Sequence, residues 1–144
     1  MTGGPIVRAA SLAELRPQVL YQILKLRSDV FVVEQACAYM DMDGRDGDPD
    51  TIHLWIEEQG AVVATLRLLG GEVPQIGRIV TRADRRGRGL AAALLRSALQ
   101  RAGRPVEIKA QARLQSWYES FGFGVCSPEW IEDGIPHVQM RRNR

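Results

Sequence analysis

The sequence predicts a single domain of the α/β (α+β) class over residues 1–144. The first observation is size and composition, because 144 residues with 45% hydrophobic side chains suffice for one core. The second is a helical spacing of apolar residues near the start and an Ala- and Leu-rich segment later. The third is a set of short apolar runs bounded by glycine turns, which predict strands.

Composition also indicates where such a domain works. Lys and Arg number 19 against 17 Asp and Glu, so a net charge of +2 gives no reason to expect a nucleic-acid partner. The two cysteines are too few for a disulfide framework. No signal peptide and no apolar run of about 20 residues is found, so we expect a cytoplasmic protein without membrane contact. The oligomeric state stays open between a monomer and a homodimer.

The first half of the chain predicts a helix and then a loop. Residues 5–8 could form a brief edge strand, and Ser11 can cap a following helix that Pro17 interrupts. The apolar face of that helix comprises Leu12, Leu15, Val19, Ile23, Leu26, Val30 and Val33. Residues 36–50 are rich in Asp and Gly and predict a loop.

The second half predicts strands interleaved with two helices. Three strands at residues 52–56, 61–69 and 73–81 form a meander. A helix over 90–102 ends at Gly103 and leads to a strand at 106–110. A short helix at 111–121 and closing strands at 123–126 and 137–141 complete the chain.

The turn before the second long helix carries the strongest functional signal. Four arginines, at 82, 85, 86 and 88, surround Gly87 and Gly89 where a strand leads into a helix. Free amides and the helix dipole at such a helix start favour a phosphate or pyrophosphate. The turn lacks the Gly-Lys-Ser/Thr ending of a P-loop. Residues 87–92 do fit a loose dinucleotide pattern with Glu107 beyond it, and a merely solvated helix start is the remaining alternative.

The same turn also reads as R-x-x-G-x-A over residues 86–91, which resembles the acyl-CoA-binding signature of the GNAT acyltransferase superfamily. The resemblance implies that the helix start holds the pyrophosphate of acetyl-CoA. It also implies that the preceding strand splays from its neighbour and pairs with the pantetheine arm. The residues so assigned to the cosubstrate are Ile79, Val80, Thr81, Arg86, Gly87, Arg88, Gly89, Leu90 and Ala91, with Gln111 where many members carry Asn.

Other segments extend this resemblance over nearly the whole chain. Residues 111–123 resemble the second family segment, with Trp117 where Phe is usual. Residues 26–27, 30–35, 41–44 and 132–137 resemble the ElaA-like branch of the family. The resemblance implies the GNAT fold, a twisted mixed β-sheet flanked by helices.

The resemblance also suggests how the chemistry is divided. Tyr118 matches the family position of the general acid, although it could simply pack beside Trp117 and Phe121. The amide of Val80 or Thr81 could stabilise the developing oxyanion. The base is open: Glu34 is our main candidate, although it could instead form a salt bridge, and water could relay the proton. The other candidates are Asp43, His53 and His137.

The sequence therefore predicts an enzyme, an acetyl-CoA-dependent N-acetyltransferase acting on a primary amine of a small molecule or peptide. The amine would attack the thioester directly in a ternary complex. The alternatives are a non-catalytic acyl-CoA-binding or nucleic-acid-binding module and a nicotinamide-dependent reductase.

Five aspartates at 41, 43, 46, 48 and 50 suggest an acidic rim that attracts a cationic acceptor, or else turn caps in a solvated loop. No metal is expected. Residues 46–57 resemble a calcium-binding loop, but Thr51 replaces the required glycine and Pro49 stiffens the turn, and no residues have the spacing of zinc ligands.

Overall fold

A computed structural model describes residues 4–103 and 105–143, and these form eight strands and three α-helices. Residues 1–3, 104 and 144 of the predicted domain lie outside the described residues. The strands are β1 (Arg8–Ala10), β2 (Ile52–Glu58), β3 (Ala61–Leu69), β4 (Gln75–Thr81), β5 (Val106–Gln111), β6 (Gly124–Val125), β7 (Trp130–Glu132) and β8 (Ile135–Arg142). The helices are α1 (Pro17–Arg27), α2 (Leu90–Ala102) and α3 (Gln115–Glu119).

The strands form one mixed sheet in the order β1-β2-β3-β4-β5-β8-β6, with β7 paired to β8. The pairing of β4 with β5 is parallel, and every other strand pair of the described chain is antiparallel. A dinucleotide-binding fold requires several consecutive parallel units. The nicotinamide alternative is therefore wrong at the level of topology.

Helices cover both faces of the central strands, as the resemblance implied. The buried side chains of α2 are Leu90, Leu94, Leu95 and Ala98, and they pack in a cluster with Leu54 and Ile56 of β2. On the opposite face Val19, Ile23 and Leu26 of α1 pack with Trp55, Val62 and Val80. Strand β3 lies between the two helical layers, which explains its almost unbroken apolar sequence.

The predicted first helix is divided into three pieces. A 3₁₀ turn at Leu12–Glu14 precedes α1, and a π-helical segment at Ser28–Glu34 follows it. The wider π-helical turn rotates the end of the apolar face outward, so Val33, which was predicted on that face, is 70% exposed. The edge strand is β1 at Arg8–Ala10 rather than residues 5–8, and it pairs with β2.

The C-terminal third also differs from the predicted elements. Gln111 ends β5 by pairing with His137, so the helix predicted from it begins only at Gln115, after a 3₁₀ turn. Strand β7 was not predicted, because three residues are too few for a recognisable alternation. It forms a hairpin with β8 through Asp133 and Gly134, which both have positive φ.

Candidate active site

The site begins where two parallel strands separate. Strands β4 and β5 are paired only at Gln75 with Glu107 and at Ile76 with Ile108. Beyond these two pairs, β4 continues to Thr81 and β5 continues to Gln111, but the two strands no longer pair with each other. The gap leaves backbone groups of β4 free to bind an extended ligand.

A bulge determines which groups of β4 face this gap. Arg78 has a φ of +53°, and the pairing of β4 with β3 shifts register around it. The amide of Arg82 donates to the carbonyl of Val63 at 2.7 Å. Along two antiparallel strands, hydrogen-bonded and non-hydrogen-bonded residue pairs alternate. Counting back from Arg82, the amide of Val80 points toward β3, whereas the amide of Thr81 points away from β3 and into the gap. Val80 therefore does not fit the oxyanion role suggested from the sequence.

A glycine turn then delivers the chain to α2. Gly87 and Gly89 both have a φ of +77°, a conformation that side chains with a Cβ rarely adopt. The first amide bonded within the helix is that of Ala93, which donates to Gly89. The amides between these two residues thus point out of the helix start, toward an anion-binding position.

The residues assigned to the cosubstrate meet in one cleft of about 530 Å³. We call it the donor cleft. The predicted residues that line it are Glu34, Ile79, Val80, Thr81, Arg86, Gly87, Gly89, Leu90, Ala91, Gln111 and Tyr118. Arg88 does not line it and is exposed to solvent. Phe31, Arg113 and Trp117 also line it and were not predicted.

Three of the four arginines in the turn are occupied by carboxylates. Arg82 binds Asp84 at 2.6 Å, and Arg85 binds Glu58 at 2.7 Å. Arg86 binds both oxygens of Glu34, at 2.7 and 2.8 Å. The turn thus presents backbone amides rather than four free cations.

The pair of Glu34 and Arg86 bears on the predicted base. The Arg86 hydrogen bonds hold the pKa of Glu34 below its usual value. A carboxylate held in this way is a weaker proton acceptor than a free one. The salt-bridge alternative considered for Glu34 is the arrangement that the structure contains.

Tyr118 lies where the donor cleft meets a second cleft. Its side chain is 5% exposed, and its ring contacts those of Trp117 and Phe123 edge to face. Burial raises the pKa of its phenol above the ordinary value of 10, so the hydroxyl remains a proton donor. Packing and acid chemistry are therefore compatible at this residue.

The second cleft also has a volume of about 530 Å³, and we call it the acceptor cleft. It shares six lining residues with the donor cleft: Phe31, Gln35, Ile79, Gln111, Leu114 and Tyr118. The π-helical segment supplies Phe31 to this shared wall. The two clefts therefore communicate through the gap between β4 and β5.

The remaining base candidates lie in different surroundings. His53 is fully buried, and burial lowers its pKa despite a 3.0 Å contact with the carbonyl of Asp46. Asp43 lines the acceptor cleft, but hydrogen bonds from Arg67 depress its pKa far below the usual range. His137 also lines the acceptor cleft, and it contacts no carboxylate of the described chain.

The predicted acidic rim is largely neutralised. Arg27 is 1% exposed and binds Asp41 at 3.0 Å and Asp46 at 2.7 Å. Arg67 binds Asp43 at 2.6 Å, and Arg78 contacts Asp41 at 2.9 Å and Asp43 at 3.4 Å. We call these three arginines and three aspartates the ion network.

These three aspartates are held by arginines and do not present free negative charge to a cationic acceptor, so the prediction of an acidic rim is wrong for them. The arginines were missed, although Arg67 within an apolar strand signals a buried partner.

The calcium-like pattern likewise has other partners. Asp46 belongs to the ion network, and Glu57 of β2 binds Arg8 at 3.2 Å. Within residues 4–103 and 105–143, no group of three potential metal ligands is found. No helix in the same ranges is long and apolar enough to cross a membrane.

Comparisons with known proteins agree with this geometry. A family model described as the acetyltransferase (GNAT) domain matches residues 20–144. A UPF0039 protein of Mycobacterium tuberculosis is 48% identical over 136 residues, covering 90% of this chain and 87% of that protein. The crystal structure of an acyl-CoA N-acyltransferase from Pseudomonas aeruginosa is 40% identical, with a TM-score of 0.92 over 96% of this chain and 99% of that one. That of Escherichia coli ElaA is 34% identical, with a TM-score of 0.91 and the same coverage.

Proposed function

The chain belongs to the GNAT acetyltransferase family of acyl-CoA-dependent transferases, and on this premise we propose that it is an acetyl-CoA-dependent N-acetyltransferase. Its acceptor is a primary amine of a small molecule or peptide, which attacks directly while both substrates are bound. Cosubstrate and acceptor enter the gap between β4 and β5 from the donor and acceptor clefts.

One observation carries this proposal: the free edge of β4, the glycine turn and Tyr118 border a single cleft. Each supports a different part of acyl-CoA. The amides at the start of α2 suit a pyrophosphate, and the unpaired edge of β4 suits an amide-rich arm. The glycine at position 89 lets that backbone approach an anion without the strain of a Cβ.

The chain's own groups then divide the chemistry. Acetyl-CoA supplies an acyl group activated as a thioester. The amide of Thr81, which the register of β4 leaves facing the gap, donates to the carbonyl oxygen as negative charge develops there. Tyr118 gives its phenolic proton to the departing sulfur, which burial favours by keeping the phenol protonated.

Thermal unfolding with added ligand tests the donor assignment. A ligand present at 100 times its Kd stabilises the folded state by about 2.7 kcal/mol. We expect CoA and acetyl-CoA to raise the melting temperature by several degrees and NADH to leave it unchanged. Equal stabilisation by NADH and acetyl-CoA would overturn the assignment.

Two variants at opposite ends of α2 localise the effect. Gly89→Val should abolish stabilisation by acetyl-CoA, because its φ of +77° is lost at the helix start. Gly103→Val is the matched control, since Gly103 has a φ of +66° at the other end of the same helix. It should destabilise the protein yet keep the response to acetyl-CoA.

Catalysis is tested by release of free thiol from acetyl-CoA when amines are added. Ethanolamine, spermidine and alanylalanine sample a small, a cationic and a peptide acceptor. Amine-dependent release above the background from Cys37 and Cys126 is expected. Binding of acetyl-CoA without release with any of the three amines would instead favour the acyl-CoA-binding module.

A further inference from the structure

The proposed chemistry still requires a group that removes a proton from the attacking amine. A primary amine such as that of lysine has a pKa near 10.4 in water and arrives mainly as an ammonium ion at neutral pH. Such an ion has no lone pair with which to attack. The group sought must therefore face the acceptor cleft and have a free lone pair.

His137, in β8, lines that cleft. Its backbone pairs with Gln111, one of the residues shared by both clefts. The chain has two histidines, and His53 is 0% exposed and lines neither cleft. His137 is thus the imidazole within reach of an acceptor.

A single contact determines the tautomer of His137. Its Nδ1 lies 2.7 Å from the backbone carbonyl oxygen of Ile135. A carbonyl oxygen only accepts hydrogen bonds, so Nδ1 carries the proton and donates it. The neutral ring therefore has its lone pair on Nε2, which makes no hydrogen bond to any residue of the described ranges. Nε2 is the basic atom available to an acceptor.

The ring is also held in place on one face. Trp130 stacks on it with centroids 5.8 Å apart and planes at 28°. The indole Nε1 in turn donates to a carboxylate oxygen of Glu132 at 3.3 Å. A fixed ring aims Nε2 at a constant position, as proton transfer at hydrogen-bond distance requires.

Several charged or titratable groups share this cleft with His137. The hairpin contributes Glu132 and Asp133, the neighbouring strand Lys109, α3 the hydroxyl of Tyr118, and the loop after the π-helical segment the thiol of Cys37. That thiol contacts the carbonyl of Asp133 at 3.3 Å. A lysine side chain is ordinarily a cation and a phenol or thiol is ordinarily protonated at neutral pH, so groups of these three kinds are poor bases. A carboxylate is ordinarily a much weaker base than an imidazole, which leaves His137 as the group best suited to take a proton.

We propose that His137 is the general base of the transfer, an inference that rests on the proposed function. Nε2 takes a proton from the incoming ammonium nitrogen, which then has a lone pair. The N–C bond forms as the C–S bond breaks, and the sulfur leaves with the proton of Tyr118. The nitrogen gives its surplus proton to water, His137 returns its proton to water, and Tyr118 regains one. The products are the amide and the free thiol.

The pH dependence of His137→Gln tests this role with ethanolamine as the acceptor. Loss of a general base should lower kcat/KM for the amine by about 10²-fold or more near neutral pH. The deficit should shrink as the pH approaches the pKa of ethanolamine, because an amine that is already neutral needs no base. A merely structural role would leave the deficit the same at every pH.

The exposed side chain of Glu129 offers a matched control on the segment that leads into the same hairpin. Glu129→Gln should behave as the wild type at every pH. Stabilisation of His137→Gln by acetyl-CoA should also equal that of the wild type. A change below about threefold in kcat/KM, or a deficit independent of pH, would overturn the proposal.

Chemical labelling supplies a readout independent of turnover. Diethylpyrocarbonate reacts with neutral imidazole nitrogen, and buried His53 is shielded from it. We expect one labelled histidine, His137, modified at Nε2 and restored by hydroxylamine. An unreactive His137 would overturn the base assignment even if acetyl-CoA binds. Failure of acetyl-CoA to stabilise the wild type would instead count against the proposed function.

Discussion

At the scale of single residues, we propose that Tyr118 combines two roles that the sequence presents as alternatives, packing and proton donation. Its ring is packed between Trp117 and Phe123, and the residue lines both clefts. Burial penalises the phenolate, so the same packing that holds the ring keeps the proton on the oxygen.

Replacing the phenol tests this dual role. Tyr118→Phe keeps the ring and should lower kcat by about 10²-fold, with little change in the affinity for acetyl-CoA. Because the pKa of Tyr118 is raised, the wild type should show no alkaline loss of activity from this group below about pH 10. Thiol release with ethanolamine measures both effects. Wild-type turnover by the variant, under conditions where chemistry limits the rate, would refute the role.

At the scale of elements, one ion pair joins the π-helical segment to the glycine turn. Arg86 binds Glu34 with two nitrogens, and its Nε donates to the carbonyl of Thr81 at 3.2 Å. The contact ties the end of the first helical region to the end of β4. We therefore propose that Glu34 positions Arg86 beside the donor cleft rather than acting on the acceptor.

Substitution of Glu34 separates these two roles. Glu34→Gln keeps the shape but removes the charge, and it should change kcat with ethanolamine by less than about tenfold. Its effect should fall on the Kd for acetyl-CoA, measured by isothermal titration. A loss of about 10²-fold in kcat, with the acid limb of the pH profile removed, would instead identify Glu34 as the base.

At the scale of the whole molecule, the ion network fastens the long acidic loop to the body of the domain. Its arginines come from α1, β3 and β4, and its aspartates from the loop. Buried charges of this kind persist only when each has a partner, so the loop and the sheet must fold together. The aspartates thus act in stability rather than in attracting an acceptor.

The stability of the protein should therefore depend on acid. Burial acts to raise the pKa of Asp46, but Arg27 and Arg67 together outweigh it, and hydrogen bonds from Arg67 lower that of Asp43. A depressed folded-state pKa gives stability that is present above the unfolded value of about 3.9 and is lost as the pH falls through the folded value. The free energy of unfolding in urea should fall steeply below about pH 4.

A pair of loop variants isolates the contribution of the network. Asp46→Asn leaves Arg27 without one of its buried carboxylates and should cost about 3–5 kcal/mol at pH 7, less at pH 3. Asp48→Asn is the matched control, because its side chain is 54% exposed, and should stay within about 0.5 kcal/mol of the wild type. Equal stability of the two variants at pH 7 would contradict the structural role of the network.

Local sequence patterns predicted much of this architecture. The strand at Ala61–Leu69 and the helix at Leu90–Ala102 begin and end where the pattern placed them. Apolar periodicity and glycine boundaries act over a few residues and so can be read from the chain alone. The helix predicted from Gln111 begins late, because pairing with β8 keeps that residue in the sheet.

The sequence by itself determined the family resemblance, the order of the main elements and the glycine turn, because each depends on residues close together in the chain. Tertiary structure decided which charges cancel: Glu34 meets Arg86 across 52 positions, and Arg67 meets Asp43 across 24. It also placed His137 in the same cleft as Tyr118, with an Nε2 that no described residue hydrogen-bonds. These contacts depend on strand order and on the separation of β4 from β5, which no local pattern encodes.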